Sequence, residues 1–221
     1  MEPAPRPRSD NDQQLAADLT RMERVLSASR DDADAQALLA PVSYDPERLD
    51  GLLSLVASAR TAYGARTTGM AAEEAASDAK TAAFESARTS YVAFRKIARA
   101  LFNDDDDTLT ALGLNDEAAR ALDPFATQAR AGYAAVADLP DRRSERLTEV
   151  GYTPERLTAL TGEVNALVDA AEAMTAAEAR AKATTAARDA EATAAQKAYA
   201  TFRDIARTVL PPDLRDRVGL G

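Results

Sequence analysis

The sequence predicts an all-α, internally duplicated protein: two long antiparallel helices forming an Ala-rich, coiled-coil-like shaft, with small helical bundles at its ends. Three observations predict it. First, Tyr44-Asp-Pro-Glu-Arg-Leu49 returns as Tyr152-Thr-Pro-Glu-Arg-Leu157, and Tyr91-Val-Ala-Phe-Arg-Lys-Ile-Ala-Arg99 returns as Tyr199-Ala-Thr-Phe-Arg-Asp-Ile-Ala-Arg207. Both pairs are 108 positions apart, so residues 44–102 align without a gap to 152–210, with 21 of 59 positions identical. Second, 52 of the 221 residues are Ala while aromatics make up only 5%, a helix-former's composition with little for a β-sheet to use. Third, no Gly or Pro falls among the 48 residues between Gly162 and Pro211.

Residues 1–12 are rich in Pro and charge and are expected to form a disordered tail. Residues 13–114 and 115–221 are then the two repeats of one pseudo-twofold body. Leu15, Leu19, Met22 and Leu26 recur at i, i+4, i+7 and i+11, one stripe of a first helix. Its counterpart carries Leu122, Phe125, Ala129, Tyr133 and Val136, out of register with the 108-residue offset. Ser29-Arg-Asp-Asp32 and Leu139-Pro-Asp141 break these helices, and short second helices follow, ending near Ala40 and Val150.

The clearest helix starts come next. Asp45 and Thr153 are good N-cap residues, Pro46 and Pro154 suit the first helical position, and Glu47 and Glu155 favour the positive end of the helix dipole. From Pro154 to Leu210 the element would run roughly 85 Å. Leu49, Leu52, Val56, Ala59 and Tyr63 start a stripe that Ala71, Ala75, Ala79 and Ala82 continue at 4-4-3 spacing, before Tyr91, Phe94, Ala98 and Leu101. That middle spacing predicts a straight or slightly right-handed crossing with closely approaching backbones. Tyr44, Tyr91, Phe94, Tyr152, Tyr199 and Phe202 sit at duplicated positions near the helix ends and are expected to anchor the end bundles. A competing reading breaks the first long helix into a hairpin between Gly64 and Gly69, although the matching 172–178 segment has no turn residue.

The residue inventory narrows the chemistry. With no Cys and no His, thiolate catalysis, disulfides, the commonest metal ligand and every Ser-His or Cys-His arrangement are excluded. A net charge of −9 opposes binding to nucleic acid or an anionic membrane. No apolar run reaches a membrane span and the first residues lack a signal-peptide core, so a cytoplasmic protein without membrane insertion is expected. The run Asn103-Asp-Asp-Asp-Asp107 lacks the alternating order of a calcium loop and reads as a turn capping a helix that begins at Thr108. Carboxylate pairs such as Glu73-Glu74 read as a solvated face, so no catalytic residue, metal site or cofactor is expected.

One motif remains. The duplicated Phe-Arg-x-Ile-Ala-Arg places Arg95 with Arg99 and Arg203 with Arg207, each pair one helical turn apart on one face. Such a pair is suited to clamp a phosphate or carboxylate; placed in the last turns of a helix it also favours the dipole and is within reach of Glu47 and Glu155. The combination Tyr-x-Pro-Glu-Arg-Leu, long Ala-rich helix, Phe-Arg-x-Ile-Ala-Arg and Ala111-Leu-Gly-Leu114 resembles a group of uncharacterised bacterial proteins with two helical repeats. The resemblance implies the fold and carries no activity. The expected function is therefore that of a non-enzymatic scaffold or spacer with a protein partner or self-association, and the alternative is a module holding a small anion through Arg95, Arg99, Arg203 and Arg207.

Overall fold

The computed structural model describes residues 10–221, which form eight α-helices and two 3-10 turns without a strand. The helices are α1 (Asp10–Asp31), α2 (Ala33–Leu39), α3 (Pro46–Leu101), α4 (Asp106–Ala111), α5 (Leu122–Ala134), α6 (Asp141–Glu149), α7 (Pro154–Val209) and α8 (Pro212–Val218). Of the expected tail, residues 1–9 lie outside the described part; α1 begins at Asp10. The long helices α3 and α7 have 56 residues each and start and stop 108 positions apart. The hairpin alternative is excluded, since α3 passes through Gly64 and Gly69 unbroken.

The local devices around these helices recur in both halves. Ser43 and Gly151 take the left-handed conformation just before the repeated tyrosines, and Tyr44 and Tyr152 donate backbone N–H bonds to the carbonyls of Leu39 and Leu147. Gly113 and Gly219 end α4 and α8 in the same conformation, with Leu114 and Leu220 bonded back to Leu109 and Arg215, the pattern of a Schellman cap.

Two compact units divide the chain, and they cut across the repeats. One takes the described residues up to Met70 together with Arg180–Gly221; the other is Ala71–Ala179. In the first, Leu19, Val25 and Leu26 of α1 pack with Leu39, Tyr44, Leu49 and Val56 against Tyr199, Phe202 and Ala206 of α7 and Val218 of α8. In the second, Tyr91, Phe94 and Phe102 pack with Leu112, Leu114, Phe125, Tyr133 and Leu147 against Leu160, Val164 and Leu167 of α7. Rings meet edge to face in both: Tyr44 with Phe202 at 5.3 Å, Phe94 with Tyr133 and with Tyr152 at 5.2 Å.

The middle of the long helices differs from expectation. Ala71, Ala75, Ala79 and Ala82 are exposed, as are their aligned counterparts Ala179, Ala183, Ala187 and Ala190. The buried seam of α7 instead follows Leu160, Val164, Leu167, Ala171, Met174, Glu178, Ala181, Thr185, Arg188, Ala192, Ala195, Tyr199, Phe202 and Ala206 in unbroken 4-3 steps. On α3 the same steps run from Leu52 through Arg66, Glu73, Ser77, Lys80 and Phe84 to Ala98, with Met70 alone exposed. This is a heptad, the spacing of a left-handed crossing, in place of the eleven-residue spacing expected.

Some polar side chains on or beside the seam are paired between elements. In the first unit Arg66 of α3 and Arg188 of α7 both bind the Asp12 carboxylate, at 2.7 and 2.9 Å, and a Cβ on Gly69 would meet Thr184 Oγ1 at 2.9 Å, so the backbones come close there. In the second unit Lys80 Nζ lies 3.3 Å from Met174 Sδ, and Ser90 Oγ donates to Glu163 at 2.7 Å. In each unit the higher-numbered α3 residue faces the lower-numbered α7 residue, the antiparallel arrangement.

Two expectations follow. With no native cysteine, spin labels at Ala57→Cys and Ala75→Cys report only on α3. A continuous helix separates them by about 27 Å, and a hairpin at Gly64–Gly69 by about 10 Å; electron–electron resonance distinguishes the two. Phe94 and Phe202 are both fully buried, so Phe94→Ala and Phe202→Ala should each cost about 3–5 kcal/mol in denaturant unfolding, whereas Ala75→Ser on the exposed face should shift stability by less than about 0.5 kcal/mol.

Candidate functional site

The four arginines singled out from the sequence end in different surroundings. Arg95, 4% exposed, donates from Nη1 to the Tyr91 hydroxyl at 3.3 Å and from Nη2 to the carbonyls of Leu114 and Asp116. Arg99 joins it on the same two carbonyls, with Nε 3.0 Å from Leu114 O and Nη2 3.0 Å from Asp116 O. Gln128 holds the next turn of this loop, accepting from Ala119 N at 2.9 Å and donating to Glu117 O at 3.2 Å. The pair thus grips residues 114–116 through backbone oxygens, where pairing with Glu47 or Glu155 was the structural expectation. Glu155 is instead turned to its own helix start, its carboxyl held below the ordinary range chiefly by its hydrogen bond with Thr153.

In the other unit Arg207 repeats the Arg99 contact, donating from Nε and Nη2 to Leu220 O at 3.3 and 3.1 Å. Arg203 does not repeat the Arg95 contact. It binds the adjacent Asp204 carboxylate at 3.1 Å and lines a cavity of about 220 Å³ with Arg21, Gln196 and Tyr199. Tyr199 is 7% exposed and its hydroxyl is buried without a partner, while the aligned Tyr91 hydroxyl is bonded to Gln128 O and Arg95. Burial pushes the Tyr199 phenol up, and the charges of Arg21, Arg203, Arg207 and Arg24 act against that rise. The structure therefore groups one arginine of the duplicated motif with Asp18 and Arg21 of α1 and a tyrosine. The sequence carried no signal for Arg21 or for the Tyr199 cavity, because α1 and its counterpart have lost their common register.

The acidic run resolves into local structure. Asp105 caps α4, accepting from Thr108 N at 3.1 Å and Thr108 Oγ1 at 2.8 Å, and pairs with Arg143 at 2.9 Å. The helix starts at Asp106, two residues before the expected Thr108. Among the described residues no group of three or more His, Cys, Asp or Glu converges as a metal site, and no helix is long and apolar enough to cross a membrane.

The cap makes a pH prediction. Hydrogen bonding to Thr108, and then Arg143, hold the Asp105 carboxyl below its ordinary value, so its contribution to stability is present above the unfolded carboxylate range and is lost as pH falls through the folded value. Asp105→Ala should lower the melting temperature at pH 7, and the gap to the parent should narrow as the pH falls below that range. A gap independent of pH would mean that the charged cap contributes nothing.

Comparison with known protein families, with curated proteins and with solved structures returned no match, in keeping with the resemblance to an uncharacterised helical group.

Proposed function

We propose that the protein is a non-enzymatic structural or interaction protein, a helical spacer or scaffold built on an internally repeated, coiled-coil-like helix pair. The observation that carries this reading is the alanine stripe left facing solvent on both long helices. Ala71, Ala75, Ala79 and Ala82 match Ala179, Ala183, Ala187 and Ala190 position for position, and all eight are exposed. Small side chains in a row let another helix approach closely, and a second copy of the chain carries the matching surface.

Sedimentation velocity tests this. The parent should associate at micromolar concentration, and Ala75→Arg combined with Ala183→Arg should give a monomer with an unchanged melting temperature, since Arg is a good helix former at an exposed position. A monomeric parent, or association that survives both substitutions, overturns the reading.

One observation favours a second reading, a module for a small anion. Arg21 and Arg203 line one cavity together with Asp18 and Tyr199, whereas Arg95, Arg99 and Arg207 are engaged by backbone carbonyls. Calorimetric titration with inorganic phosphate should then show binding that Arg203→Gln removes and Arg99→Gln does not.

A further inference from the structure

The net charge is shared unequally between the two units. Ala71–Ala179 holds 20 acidic against 11 basic residues, the whole of the −9, while the rest of the chain holds 16 of each. In the balanced unit two cations are nevertheless unmatched. Arg21 and Arg24 lie three residues apart on α1, hence on one helix face, where with Ala16, Ala17 and Thr20 they line a shallow hollow. Both are exposed, and neither guanidinium has a hydrogen-bond or ion-pair partner among the described residues. The carboxylates around them are engaged: Asp18 accepts from Gln14 at 2.9 Å, Glu23 pairs with Arg60 at 2.6 Å, and Asp204 pairs with Arg203 at 3.1 Å.

The acidic unit holds the converse. Asp104, Asp106 and Asp107 are exposed, and their carboxylates have no partner among the described residues, whereas Asp105 between them is held by Thr108 and Arg143. Like charges side by side repel, and an approaching cationic surface relieves that repulsion. We propose that the α1 face carrying Arg21 and Arg24 docks on the Asp104, Asp106 and Asp107 turn of a second copy of the chain. Charge complementarity names the occupant: each copy carries one unmatched cationic face and one unmatched anionic turn, so two copies supply what each lacks. The two surfaces differ, so the contact is heterologous and can repeat from copy to copy. It uses neither the alanine stripe nor the cavity lined by Arg203, outside which Arg24 lies, and it therefore stands or falls apart from both functional readings.

Salt separates this contact from any other. Exposed charges act over roughly 20 Å at about 20 mM salt and over roughly 4 Å at about 500 mM, so association through the alanine stripe is measured alone at the higher salt. In sedimentation velocity the parent should form larger species in the dilute salt than in the concentrated one. Arg21→Glu with Arg24→Glu should remove that increment, and so should Asp104→Asn with Asp106→Asn and Asp107→Asn. Each set should raise the dissociation constant in dilute salt by roughly tenfold, the loss of two or three exposed ion pairs. The first set makes the chain more acidic and the second less so, and general repulsion between copies cannot explain a loss in both. An equimolar mixture of the two variants should regain association that neither shows alone, because each brings the surface the other has lost. All positions are exposed, and circular dichroism checks that both variants keep the helical fold. A parent whose sedimentation does not change with salt, an increment that survives either set, or a mixture no larger than its components each overturns the proposal.

Discussion

The constraint on which the rest depends is that each long helix keeps one seam, buried toward its ends and mostly half-buried in its middle, where it offers almost no apolar area. Toward the ends the seam is filled by Phe94, Phe202, Tyr91, Tyr199, Val56 and Val164, and burial of such residues drives packing. In between it holds Arg66, Glu73 and Lys80 on one helix and Glu178, Thr185 and Arg188 on the other. Charges held this far from water stabilise only when paired. Asp12 meets that need in its unit, its side chain 9% exposed between guanidiniums that are 15% and 14% exposed. The first turn of α1 is thereby tied to both long helices. A one-heptad slip would leave these cations without their carboxylate. Polar seam residues thus select the register, which an alanine-filled seam leaves nearly degenerate.

At the ends, energy and geometry come from different residues. The aromatic clusters supply buried area, and arginines fix the chain as it leaves each long helix. Arg99 on Leu114 O and Arg207 on Leu220 O are the same device: a cation in the last turns of a long helix, favoured by the dipole, ties down the turn that closes the following short helix. Arg95 extends the device in one unit by taking the Asp116 carbonyl as well. Its counterpart Arg203 turns to Asp204, and this frees the space around Tyr199.

How much of this was legible in the sequence depended on whether a feature was written in residue types or in their absence. The helix starts at Pro46 and Pro154, the aromatic anchors and the continuity of α7 were legible, because caps, prolines and large apolar side chains carry strong local signals. The seam was not. Glu73, Ser77 and Lys80 are polar and do not stand out as a stripe, while the exposed alanines do, since Ala is both the best helix former and counted as apolar. The arginine contacts were missed for a related reason. Charge suggests a carboxylate partner, and for Arg95, Arg99 and Arg207 the acceptors include backbone oxygens, which every residue possesses. A groove beside the start of α7 comes from small side chains, Thr158, Thr161 and Gly162, which leave no mark in a hydropathy pattern.

The two halves are most alike where they form the long helices and least alike where α1 and α5 stand, 22 residues against 13. Beside the start of each long helix lies a groove that draws one wall from the similar part and the other from the dissimilar part. The α3 and α7 walls still align residue for residue, Asp50 with Thr158 and Ser54 with Gly162, so the change in character arises chiefly from what stands opposite. Glu23 and Arg30 of α1 complete ion pairs across one groove. At the other, Tyr133 and Val136 present an aromatic and an aliphatic surface. A fold whose cores rest on the long helices tolerates such divergence, because the groove walls can change without disturbing Phe94 or Phe202. The parts free to diverge are therefore those contributed by α1 and α5, whereas Phe94 and Phe202 hold aligned positions in the two cores.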